Sequence, residues 1–142
     1  EAVRAGAQVV TGGDVRDGGG GDDGLLQPTV LRDVTHDMRV MRQEVFGPVV
    51  GIETYRDLED ALALANDTDY GLQAGIFTRD LDHALAAART LEFGGVTVNE
   101  VPTWRADQMP YGGVKASGNT REGPAYSVRE MTELRLVVVQ PS

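Results

Sequence analysis

The chain has 142 residues, 41% of them hydrophobic, a formal net charge of −9, 18 Gly and no Cys. That length supports one domain with a real core, and the acidic balance argues against nucleic acid, which calls for basic patches. A disulfide framework, a thiolate metal site and a cysteine nucleophile are all excluded within this chain.

No apolar run approaches the roughly 20 residues of a membrane span, and nothing resembles a signal peptide. A cytoplasmic protein with no membrane partner is therefore expected. The opening "EAVRAGAQVV" reads as the tail of a helix feeding a strand, so the start is expected to be cut out of something longer. "AQVVT" (7–11) is a short strand, followed by the Gly-rich "GGDVRDGGGGDDG" (12–24). A phosphate-binding loop should be neutral or basic, and Asp14, Asp17, Asp22 and Asp23 would repel an anion. The loop is expected to be a flexible surface segment, with a weak calcium site as the alternative. "LLQPTVLRDV" (25–34) reads as a strand pair or extended arm, with Pro28 at an edge or bulge.

From residue 48 the pattern becomes regular. "PVVGIETY" is an apolar strand, and Asp57 caps a helix with Leu58, Ala61, Leu62 and Ala65 on one face. "NDTDYGL" is a turn-rich stop, and "AGIFT" (74–78) is the next strand. Leu81, Ala84, Leu85 and Ala88 mark a second amphipathic helix, with Gly94-Gly95 at its expected C-terminal cap. "GVTVN" (95–99) is a third strand. Strand, helix, strand, helix, strand with tight links predicts an α/β fold with right-handed crossovers and a parallel sheet.

Ligands of such sheets gather beyond the carboxyl ends of the strands. There lies "EVPTWRADQMPYGGVKASG" (100–118), a long Gly-rich loop holding the only Trp. A short helix follows, with Pro124 near its first turn and Ala125, Val128 and Met131 on one face. "ELRLVVVQ" (133–140) reads as a terminal strand that needs a pairing partner, either the home sheet or a neighbouring subunit's.

One stretch stands out. "QEVFGPVV" (43–50) sets Glu44 and Phe46 two residues apart, just before a buried strand. On residue type alone, Glu44 could cap a turn and Phe46 could be core.

Taken in order, "QEVFGPV", "ANDTDYGLQAGIFTRD", "GGVTVN" and "MPYGGVKASGNTREG" resemble the C-terminal part of NAD(P)-dependent aldehyde dehydrogenases across essentially the whole chain. The resemblance implies a partial catalytic domain over residues 1–132 and a C-terminal oligomerisation strand over 133–142. It implies that Glu44 accepts hydrogen bonds from the hydroxyls of the nicotinamide-side ribose, while Phe46 packs beside that ribose and ring. NAD or NADP is the implied cofactor of the complete enzyme. Vicinal hydroxyls suit one carboxylate with two acceptor oxygens. By the same resemblance Tyr111 belongs to the aldehyde funnel and Trp104 to the segment that anchors substrate. The stretch "PTWRADQMPYGGVK" is most similar to the branch acting on small hydroxylated or phosphorylated aldehydes, such as lactaldehyde and glyceraldehyde 3-phosphate. There Arg105 would grip an anionic group, which a guanidinium fork suits. Trp104 as a packing residue, and Arg105 as a surface partner of Asp107 or Glu100, are the alternatives.

Aldehyde oxidation to an acid needs a nucleophile, an oxyanion donor and a base. The family uses a cysteine, through a thiohemiacetal and an acyl-enzyme, with an asparagine and a glutamate. All three, like the Rossmann domain, lie upstream of the Glu44 motif and outside this chain. The isolated chain is thus expected to be catalytically dead and to bind NAD(P) weakly or not at all. A homo-oligomer, dimer or tetramer, is expected through the last strand. A stand-alone, non-catalytic oligomerisation or regulatory module is the alternative.

Two departures and two weak motifs complete the reading. Gln43 stands where many relatives have a second glutamate. Thr120 stands where the family has Gly, which would be costly at positive φ. Tyr111 and Lys115 have a Tyr-x-x-x-Lys spacing, but Gly112-Gly113 between them argues against the helix that pair needs. His36 and His83 have no ligand spacing and are expected at the surface, and the acids Asp57, Glu59 and Asp60 suit a helix start.

Overall fold

A computed structural model of the chain describes residues 1–17 and 24–141, which divide into two compact units, Glu1–Leu64 and Ala65–Ser142. The first unit opens on a 3-10 turn, Ala2–Ala5, ended by Gly6 at φ 113°. Next come β1 (Gln8–Thr11), β2 (Val15–Asp17), β3 (Gly24–Leu26) and β4 (Thr29–Arg32). The short helix α1 (Arg39–Arg42) and strand β5 (Val49–Ile52) follow. β4 is the middle strand, antiparallel to β1 and parallel to β5, while β2 and β3 form a separate antiparallel ribbon.

The order follows from where the apolar residues go. Leu31 of β4 is buried with Ala2, Ala7, Val34 and Met38, and Val40, Met41 and Val49 pack against them. Burying a leucine side chain contributes about 1.5–3 kcal/mol, so β4 anchors this unit. Thr29 is the one buried polar residue among those described. Its hydroxyl donates to Gln27 O at 2.7 Å and accepts from Gly13 N at 2.9 Å, which satisfies it.

Helix α2 (Leu58–Asn66) starts as the sequence predicts, with Asp57 Oδ1 accepting from Asp60 N at 2.9 Å. Of the four residues expected on its inner face, Leu62 is buried and Ala65 is exposed.

The second unit contains β6 (Tyr70–Gly71), β7 (Gln73–Ile76), α3 (Leu81–Thr90), β8 (Gly95–Val98), β9 (Val114–Lys115) and α4 (Pro124–Glu130). β7 and β8 pair in parallel, Gln73 with Gly95 through Ile76 with Val98, with α3 as the crossover. Asp80 caps α3, accepting from Asp82 N at 2.8 Å and His83 N at 3.2 Å. β6 and β9 form a short antiparallel pair. The α/β fold with parallel pairing and crossover helices is thus present. The three strands expected in one parallel sheet are shared between two sheets, because β5 pairs with β4 and β7 with β8.

Several expectations need correction. The buried residues of α3 are Ala84 and Ala87, whereas Leu81 is 70% exposed and Leu85 is also exposed. The close-packed side is the one whose small residues allow approach. α3 ends at Thr90, with extended Leu91 as its cap. Gly94 is therefore no helix cap; it is needed because a Cβ there would come within 1.7 Å of Gly112 O. Val128 and Met131 of the α4 segment are exposed. Residues 133–141 belong to no strand and their apolar side chains are exposed, so pairing with the home sheet does not occur among the described residues. His36 is mostly buried, its Nδ1 lying 3.5 Å from Glu53 Oε2, while His83 is exposed as expected. Thr120 is not at positive φ: Gly118, at φ 98°, takes the left-handed turn. Asp22 and Asp23 of the acidic loop lie outside the described residues, among which no cluster suited to a metal ion occurs.

Candidate functional site

The Glu44–Phe46 turn is set by its flanks. α1 ends on Gln43, whose N–H donates to Arg39 O at 2.9 Å and whose Oε1 accepts two hydrogen bonds from the Arg39 guanidinium. Gly47 N then donates to Val45 O at 3.0 Å, and Pro48 O accepts from Thr29 N at 2.8 Å, which starts the β4–β5 ladder. Between these fixed ends, Glu44 and Phe46 turn outward. Phe46 is 93% exposed, which overturns the reading of it as core. The Glu44 carboxylate caps no turn among the described residues; it lines a cleft of about 370 Å³ with Glu1, Ala2, Arg39, Val40 and Val45. An exposed carboxylate two residues from an exposed aromatic ring suits a diol-bearing ring system.

Trp104, Arg105 and Tyr111 belong to the second unit. Gln73 at the start of β7 holds the loop by donating from Nε2 to Trp104 O at 3.0 Å. The Trp104 ring is 49% exposed and therefore not a core residue. Tyr111 is tied to Glu122 by two backbone hydrogen bonds, at 3.3 and 2.6 Å. The Arg105 guanidinium lies over the Tyr111 ring, 4.5 Å from its centroid. Its Nη2 donates to Glu122 Oε2 at 3.0 Å, so its partner is neither Asp107 nor Glu100. Both side chains of this pair are well exposed, which limits its contribution to about 0–1 kcal/mol.

Lys115 is unsuited to a Tyr-x-x-x-Lys role. It lies on β9 with φ 55°, and its Nζ reaches Asn66 O at 2.8 Å and Glu92 Oε2 at 2.9 Å. Glu122 and Gln73 were given no role by sequence reasoning. Their partners are distant in the chain, and no local periodicity links Glu122 to Arg105.

The residue pattern has close counterparts. The model of the family described as "Aldehyde dehydrogenase family" matches residues 1–137. A 3-sulfolactaldehyde dehydrogenase of Priestia aryabhattai is 51% identical over 139 residues, which cover 98% of this chain and 28% of that protein. The crystal structure of lactaldehyde dehydrogenase from Escherichia coli superposes with a TM-score of 0.90 at 34% identity, over 99% of this chain and 28% of that one. A glyceraldehyde-3-phosphate dehydrogenase, GapN, from Methanocaldococcus jannaschii, solved with NADP, gives a TM-score of 0.82 at 41% identity, over 92% and 27%. The chain thus spans little more than a quarter of the length of these relatives.

Proposed function

The chain belongs to the aldehyde dehydrogenase family, and from that premise we propose that it supplies the ribose-side and substrate-side walls of an enzyme oxidising a small aldehyde to a carboxylic acid with NAD or NADP. The observation that carries this is Glu44: an exposed carboxylate with no hydrogen bond among the described residues, two residues from the exposed Phe46 ring. The nicotinamide cofactor, when bound, supplies the hydride acceptor. Glu44 would hold the vicinal hydroxyls of the nicotinamide-side ribose, and Phe46 would pack on that ribose and ring. Trp104, Arg105 and Tyr111 would line the aldehyde side.

The relatives named above act on small hydroxylated aldehydes bearing a methyl, sulfonate or phosphate group. Arg105, stacked and held by one partner, suits an anionic member of that class. The cysteine that would form the thiohemiacetal and acyl-enzyme is no residue of this chain, which has none. The glutamate base and asparagine donor are likewise assigned outside it. Residues 1–132 would form the catalytic-domain part and 133–142 a strand pairing with another subunit. The exposed apolar Leu134–Val139 run supports that division, and it is also what would serve a non-catalytic interaction module.

A chimera tests the enzyme reading: this chain replaces the matching part of the E. coli lactaldehyde dehydrogenase. Glu44→Gln in that chimera is expected to raise the cofactor KM about tenfold, through loss of charge-assisted hydrogen bonds, with the aldehyde KM unchanged. An unaltered cofactor KM refutes the assignment. Aldehyde-dependent NAD(P) reduction by the purified 142-residue chain would refute the placement of the nucleophile.

A further inference from the structure

We propose that Glu122 sets how strongly this chain takes an anionic ligand, by holding Arg105 through a single N–H while offsetting part of its charge. The proposal rests on the reading of Arg105 as the substrate-side cation and goes beyond it by naming the residue that tunes that cation.

Three observations carry it. Glu122 and Arg105 meet at one contact, Nη2 to Oε2 at 3.0 Å. The other guanidinium N–H groups have no protein partner among the described residues, so one edge of the fork is open to an anion. The Glu122 backbone is itself fixed to Tyr111 by two hydrogen bonds, and Tyr111 carries the guanidinium on its ring face at 4.5 Å. Arg105 is therefore held from beneath by the ring and from one side by the carboxylate, so that its free edge has a defined direction.

A bound carboxylate next to that edge has an electrostatic consequence. An anion on the open edge would sit about 6 Å from Glu122, and at an effective dielectric of about 40–80, between a surface pair and bulk water, the repulsion weakens binding about three- to tenfold. Glutamine at this position keeps an acceptor oxygen for Nη2 and removes the charge. A residue that only supported the loop would gain no affinity from that change.

The only tryptophan, Trp104, is half exposed and adjacent to Arg105 in sequence, so its fluorescence reports on the site without need of turnover. The chain is titrated at low salt with 2-hydroxyethanesulfonate, and with ethylene glycol as the neutral control. Glu122→Gln is expected to tighten the sulfonate Kd about three- to tenfold, and the gain should shrink as salt is raised to molar levels. Arg105→Gln should abolish the sulfonate response in both backgrounds, with unchanged near-UV circular dichroism showing that the variants are folded. If Arg105→Gln abolishes binding but Glu122→Gln leaves it unchanged or weaker, the Glu122 proposal fails and the anionic-substrate reading stands. A sulfonate response that survives Arg105→Gln, or that is absent from every variant, overturns both.

Discussion

The side-chain amide of Asn66 donates from Nδ2 to Thr90 O at 2.8 Å, and its Oδ1 accepts from Glu92 N at 2.8 Å. Thr90 is the last residue of α3, whose terminal carbonyls have no partner within the helix. One side chain thus does for this helix end what a glycine cap does elsewhere. Asn66→Ala is expected to lower stability by about 1–2 kcal/mol, measured by urea denaturation. No change in the midpoint would show that water replaces both bonds at no cost.

Gly94 and Gly112 touch backbone to backbone. A Cβ at Gly94 would stand 1.7 Å from Gly112 O, and one at Gly112 would stand 2.1 Å from Thr120 O. Backbone cannot swing aside as a side chain can, so either glycine changed to alanine should destabilise by about 3 kcal/mol or more. A thermal melt of Gly94→Ala within a degree of the parent would contradict this.

The carboxyl of Asp60 is held below the ordinary carboxylate value by the hydrogen bond from the Arg56 guanidinium, helped by the Arg56 backbone N–H. Its folded pKa is thus lower than its unfolded one. The group stabilises the fold above the unfolded value of about 3.9, and that contribution fades as pH falls through the folded pKa. Carboxyl-carbon NMR titration should place Asp60 below a reference aspartate, and Arg56→Gln should move it back up.

Removing residues 133–142 should leave the denaturation midpoint of the chain almost unaltered, since Leu134, Leu136 and Val137–Val139 are exposed. Under the proposed strand pairing, the same truncation should abolish self-association of the complete protein in sedimentation. An intact oligomer after truncation would move the interface elsewhere.

Sequence reading reached the elements that local chemistry controls. Asp57 is a cap read from residue type and position, and the Val-rich strands 8–11 and 49–52 and the β7–α3–β8 unit lie where the pattern places them, while the Asp80 cap of α3 was not singled out. It failed where the deciding partner is remote. Of Leu81, Ala84, Leu85 and Ala88, the face read for α3, only Ala84 is buried, and Ala87 is buried beside it, because closeness of approach rather than side-chain size selects the packed side. The same holds at the site. Glu44 and Phe46, both exposed, stand in a contiguous motif that sequence reading could single out, whereas the hold of Glu122 on Arg105 depends on a bridge between Tyr111 and Glu122 that no local pattern encodes.

The loop that carries Trp104 and Arg105 runs between two pins, the Gly94–Gly112 contact behind it and the Gln73 amide on Trp104 O. Both pins act on main-chain atoms of the loop and use neither the Trp104 nor the Arg105 side chain. Trp104 and Arg105, whose side chains take no part in either pin, can therefore be exchanged without loosening them, whereas Glu100 and Met109 hold neighbouring backbone N–H groups with their own side chains. At these two positions, what the loop displays and how the loop is held are separable properties.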